Sequence, residues 1–163
     1  MLQDYGLKQL FPDNVDDSST TQQNGLGIIR FEGAKQYRYV KVVDAPVSAG
    51  DVVCAASTAE GIVTADRSGG SQVALLARGV AVSDIGTDSY GWVQVQGVCT
   101  VQCDGSVSKG DGLVPHASED GHADTVNAAS DAANTEYQCF GFALENDSGT
   151  ASGSTATAYI NCP

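Results

Sequence analysis

YGWVQVQGVCTVQC, residues Tyr90 to Cys103, alternates side-chain character with a period of two. Val93, Val95, Cys99, Val101 and Cys103 are apolar at the odd positions, and Gln94, Gln96, Thr100 and Gln102 are polar at the even ones. Successive side chains of a strand point to opposite faces, so this spacing predicts a strand with one packed and one wet face. Gly97 interrupts the run, which predicts either one strand with a bulge or bend, or two consecutive strands. Trp92, the only tryptophan, falls on the glutamine side. With Gln94 it forms a candidate contact surface on the body, because an exposed aromatic can anchor an interface and uncharged glutamines tolerate contact.

Matching features lie on either side of this run. Val47-Ser48-Ala49-Gly50-Asp51 leads into Val52-Val53, and sixty positions later Val107-Ser108-Lys109-Gly110-Asp111 leads into Gly112-Leu113-Val114. Each phrase is followed by a loop glycine (Gly61, Gly121), a short strand-like run (Ile62 to Ala65, Ala123 to Val126) and a polar connection. A third run (Ala77 to Val82, Cys139 to Leu144) and a closing alternating run (Gly91 to Val95, Thr157 to Asn161) complete each half. The order predicts an internal duplication, residues 37–103 and 104–163, in which two units of roughly 60 residues combine around one core. The expected fold is all-β: a compact barrel- or sandwich-like body over residues 28–163, with about four strands from each copy. The alanine-rich connection Asn127 to Glu136 has room for one or two helical turns, and the N-terminal segment for one more.

Residues 1–27 read as an extended N-terminal arm. Leu2, Tyr5, Leu7, Leu10 and Phe11 are apolar anchors, and Pro12 to Gly25 is acidic, polar and without periodicity. Such a segment is either disordered or orders on a partner's surface, and the anchors make it a candidate docking element.

The 163 residues carry 20 acidic against 8 basic side chains, a formal charge of −12. Phosphate binding needs clustered Lys and Arg, so nucleic acid is not an expected partner. Arg30, Lys35, Arg38 and Lys41 are half of the basic residues and fall in one short segment. They read either as a polar strand face in water or as a patch facing an acidic protein partner. No apolar run approaches the roughly 18 residues that cross a bilayer, and no signal-peptide pattern opens the chain. A soluble intracellular chain without membrane contact is therefore expected, with its five cysteines (Cys54, Cys99, Cys103, Cys139, Cys162) reduced. On an extended strand Cys99 and Cys103 lie roughly 13 Å apart on one face, too far to bridge each other. Both read as small core fillers. Cys54 aligns with Val114 in the other copy, and Cys139 with Ala77, which favours packing over reactivity.

His116 and His122, in the stretch HASEDGH, match no zinc-ligand spacing, and no Cys-x-x-Cys pair stands near them. Asp104-Gly105-Ser106 and Asp111-Gly112 lack the rest of a calcium loop, and turn chemistry accounts for them. There is no phosphate-cradling glycine motif and no nucleophile elbow. No catalytic, cofactor-binding or metal-binding residue is assigned, and the expectation is a protein that is not an enzyme and takes no cofactor.

The phrases VSAGDVV (Val47 to Val53), ARGVAVSDI (Ala77 to Ile85), GWVQVQGVCTV (Gly91 to Val101), VSKGDGL (Val107 to Leu113) and FGFALEN (Phe140 to Asn146), in this order, resemble the head decoration, or cement, proteins of tailed bacteriophages. The resemblance covers about two thirds of the chain and leaves out the arm. It implies a small β-rich structural protein, often a homotrimer, that binds the outside of an assembled capsid and stabilises it by bridging major capsid protein subunits. The implied location is the outer capsid surface of the virion, reached after assembly in the host cytoplasm. An acidic exterior, which disfavours contact with packaged DNA, agrees with this. Five cysteines are a departure, since members of that family commonly have few. The alternative expectation is a carbohydrate- or receptor-binding β-domain of a phage fibre or adhesin.

Overall fold

The computed structural model describes residues 11–67, 76–105, 107–116, 119–126, 139–147, 149 and 153–163. The candidate helical turns at Asn127 to Glu136 lie outside them, and the described residues contain strands and no helix. The strands are β1 (Ile29–Glu32), β2 (Lys35–Val42), β3 (Val52–Ala55), β4 (Ile62–Thr64), β5 (Ala77–Ala81), β6 (Tyr90–Cys103), β7 (Gly112–Pro115), β8 (Ala123–Thr125), β9 (Gly141–Ala143) and β10 (Ser154–Asn161).

The alternating run is one continuous strand, β6, of 14 residues. Gly97 bends it at φ 102°, a conformation that side chains other than glycine resist. A Cβ there would lie 2.9 Å from the Ala34 carbonyl oxygen. The Gln94 amide spans the bend, donating to the carbonyls of Gln96 and Val98 at 3.1 Å each.

All ten strands join one sheet, and β6 is its hub. A closed five-stranded barrel runs β2, β4, β3, β5, β6 and back to β2, with β2–β4 parallel and the other pairings antiparallel. A second ring runs β6, β8, β7, β9, β10 and back to β6 with the same sequence of pairings: β6–β8 parallel, through Cys103↔Ala123, and the rest antiparallel. Residues Tyr90 to Gln96 of β6 pair with β2, and Gln96 to Cys103 pair with β10. The second round of pairings thus starts inside β6, ahead of residue 104. β1 extends the sheet beyond β2.

The repeated Gly-Asp phrase folds into the same turn twice. In the first, Asp51 accepts through its carboxylate from the Ser48 N–H at 2.7 Å, Gly50 N–H donates to the Ala81 carbonyl and Ala81 N–H to the Asp51 carbonyl. In the second, Asp111, Ser108, Gly110 and Ala143 make the same bonds. The two glycines sit at φ 93° and 95°. A short acidic side chain closes such a turn on its own backbone, which is why Asp recurs there.

The interior is one apolar cluster shared by both rings, from Val40, Val53, Val63, Val93 and Val95 to Val101, Cys103, Leu113, Ala143, Ala158 and Ile160. Each aliphatic side chain buried there contributes about 1.5–3 kcal/mol by leaving water. In the second half of β6 the alternation holds, with Val101 and Cys103 buried and Val98 and Thr100 exposed. In the first half it fails, because Gly91 to Val95 are buried on both faces.

Candidate interaction surface

The cover on the outer face of the first ring comes from the chain itself. Ser19 pairs with Tyr90 through N–H···O contacts of 2.9 and 2.8 Å, Gln23 N–H donates to the Tyr39 hydroxyl, and Gly27 N–H donates to the Tyr39 carbonyl. Phe11, Val15 and Leu26 pack on Tyr37, Tyr39 and Trp92 as a second apolar cluster. Phe11 meets Trp92 edge-on at 5.3 Å, and Tyr39 meets it at 5.1 Å. Asp13 ties this together: its carboxylate accepts from Trp92 Nε1 at 2.9 Å and from the Asn24 amide at 2.8 Å, and its carbonyl accepts from Arg30 at 2.7 Å. The Arg30 guanidinium also lies over the rings of Phe11 and Trp92, at 5.2 and 5.7 Å. Burial pushes the Tyr37 and Tyr39 hydroxyls above their ordinary pKa.

Two expectations change here. Trp92 is 0% exposed and Gln94 1%, so neither stands on a wet face, and the contact surface expected from them is sealed inside the protein. From residue 11 onward the arm is laid on its own body rather than free for a partner. Leu2, Tyr5, Leu7 and Leu10 lie outside the described residues. A signal was present in the sequence. Tyr37, Tyr39 and Trp92 put three large aromatics on one outward face, and a face of that area in water calls for a cover.

Three of the four basic side chains of the segment sit beside carboxylates of the same chain. Arg30 pairs with Glu32, Arg38 Nε lies 3.7 Å from Glu60, and Lys41 Nζ lies 2.7 Å from Asp88. The Asp88 hydrogen bond holds the Lys41 ammonium above its usual pKa. Arg38 donates in addition to the Pro163 carbonyl at 2.7 Å. Lys35 lines a groove with Arg30, Glu32 and Asp16, where the two signs alternate. This is the arrangement of a polar strand face, and it presents no uniform positive field.

β1 is different. Among the described strands it alone has a single neighbour, and no described strand pairs with its other edge. Phe31 on that strand is 66% exposed, and Ile28 just before it is also exposed. Between β1 and the arm runs a groove of about 400 Å³ lined by Phe11, Pro12, Asp13, Arg30 and Phe31.

Among the described residues no cluster of His, Cys, Asp and Glu is arranged to hold a metal ion. His116 Nε2 lies 3.1 Å from the Asp104 carboxylate and its Nδ1 accepts from the Glu119 N–H at 2.7 Å, which pins the β7–β8 loop. The five cysteines are free thiols. Burial pushes Cys54 and Cys103 up to about 11, and Cys99 and Cys162 up to about 12, while Cys139 is exposed. Thiols held that far from ionisation are poor nucleophiles.

Models of known protein families give no match to the chain, and curated proteins give none either. Among solved structures, the chain is similar to the crystal structure of the head fiber gp8.5 N base in bacteriophage phi29. The identity is 19%, the match covers 77% of this chain and 92% of that one, and the TM-score is 0.49.

Proposed function

We propose that this chain is a structural protein of a phage virion that binds the outside of an assembled capsid and braces neighbouring major capsid protein subunits. The observation that carries a protein-binding role is the edge of β1 that no described strand pairs with, with Phe31 and Ile28 beside it. An unpaired strand edge offers backbone donors and acceptors to an incoming strand, and exposed apolar side chains next to it add affinity. Capsid protein is chosen as the partner because the phrases through β3, β5, β6, β7 and β9 resemble those of head decoration proteins. The −12 charge fits the outside of a shell better than its DNA-filled interior.

The test uses shells of the encoding phage prepared without this chain. Added protein should bind them at micromolar concentration or below and raise the temperature at which they disrupt. Phe31→Asp should weaken binding at least roughly tenfold, the effect of losing one apolar anchor, with the protein's own melting temperature unchanged. Failure of the wild type to bind, or binding of Phe31→Asp as tight as wild type, would overturn the proposal. Glycan binding that survives without shells would support the fibre-domain alternative instead.

A further inference from the structure

The repeated pairings place positions of the two rings in register with one another. Across β2, β6 and β5 the pairing register lines up Tyr37, Gln94 and Val80; across β6, β10 and β9 the row in the same place is Val98, Tyr159 and Phe142. One step along, Tyr39 and Trp92 correspond to Thr100 and Thr157. The first row is buried, Tyr37 in the aromatic cluster under the arm and Val80 in the apolar interior. The second is partly exposed: Val98 is 43% exposed, Phe142 is 47% exposed, and the Phe142 ring stacks on Tyr159 at 5.7 Å.

The side chains that form this second face are themselves uncharged. Val98, Thr100, Thr157, Tyr159 and Phe142 carry no charge on a chain of net −12. Glu145, which accepts from the N–H and hydroxyl of Thr157, marks its rim. An extended segment with Phe11, Val15 and Leu26 as anchors covers the equivalent face of the first ring. The same strand pairings therefore present two equivalent faces, one covered by the segment from Phe11 to Leu26 and one that, among the described residues, carries no such segment.

We propose that the outward face of the second ring is a docking site for an extended, uncharged segment of the capsid protein bearing aliphatic or aromatic anchors. That segment takes the place on the second ring that residues 11–27 hold on the first. The inference rests on the capsid-binding reading above. Val98, Tyr159 and Phe142 carry no charge, so contact through them needs no ion pair and depends little on salt, and burying a charged group against them is costly.

Shells lacking the chain again serve as the probe. Phe142→Asp and Val98→Asp both place a charge on the face while the half-exposed side chains leave the interior untouched, so both variants should melt as the wild type does. Each should bind shells at least roughly tenfold more weakly, and wild-type affinity should change less than about threefold between 0.05 and 0.5 M NaCl. Wild-type affinity from both variants, or a steep loss of binding with salt, would overturn the docking site while leaving the capsid reading in place. A fall in the solution mass of Phe142→Asp measured by light scattering would assign the face to a second copy of this chain and overturn it as well. Absence of wild-type binding would remove the capsid reading, and this inference with it.

Discussion

Replacing Asp13 by alanine tests the clamp that fixes the arm. The Trp92 indole N–H points at the Asp13 carboxylate from a side chain that is 0% exposed, so water cannot take over the bond without the arm moving. Leaving a buried donor unpaired costs about 1–3 kcal/mol, and loss of the Asn24 bond adds about 1 kcal/mol. The Arg30 bond goes to the main-chain carbonyl and survives the substitution. Asp13→Ala should therefore lower unfolding stability by about 2–4 kcal/mol. Asp13→Asn, which keeps an acceptor but loses the charge, should cost about 1 kcal/mol. Urea titration followed by far-ultraviolet circular dichroism measures this directly. Trp92, the sole tryptophan, supplies a second reading, because its emission should shift to the red in folded Asp13→Ala if the arm lifts. An Asp13→Ala protein within about 0.5 kcal/mol of the parent, with unchanged emission, would refute the clamp.

Four further outcomes follow from the geometry. Gln94→Ala, a neutral change if Gln94 faced solvent, should cost about 1–3 kcal/mol in the same titration, because it removes the amide that bridges Gln96 and Val98 across the Gly97 bend. Gly110→Ala should cost about 1–2 kcal/mol for its φ of 95° alone, since a Cβ there meets nothing. Gly50→Ala should cost more, since its Cβ would come within 3.2 Å of the Gln102 side chain; equal values would argue against the close packing of the first turn on β6. In native protein at pH 8 a thiol reagent should label Cys139 quickly and Cys54, Cys99, Cys103 and Cys162 only on unfolding. The folded state holds those four thiols protonated above their unfolded pKa, so it binds more protons than the unfolded chain once pH passes about 9. The thiols' own contribution to stability should be constant below that and fall from pH 9 towards 11–12, by about 1.4 kcal/mol per pH unit for each thiol, as read by melting temperature across that range.

The strands of this protein are legible because they obey local rules. β6 shows its period in five apolar and four polar side chains, and the two Gly-Asp turns announce themselves through residues that backbone geometry demands. Ring closure is not legible in the same way. The parallel contacts β2–β4 and β6–β8 span only two residue pairs and one, and nothing in so short a run marks its partner. The contact surface was misplaced because alternation distinguishes two faces but does not say whether the polar one meets water. Gln94 turned out to serve a bend, and Trp92 to sit beneath an acidic segment that composition alone marks as loose. In that segment one carboxylate, on Asp13, is matched to an indole 79 positions away, a pairing that only the folded chain brings together.

β6 is counted in both rings, and this removes the option of partial failure. A protein assembled from two complete barrels could lose one and keep the other; here, withdrawing β6 takes a wall from each at once, and the apolar interior is continuous across it. Amide protons of β2 and of β10, on opposite ends of that strand, should then exchange with deuterium through the same whole-molecule opening. A cut after Gly97 should yield two fragments that fold only when mixed. Such all-or-none behaviour means that damage has no halfway state in which a protease can find a loose half to trim.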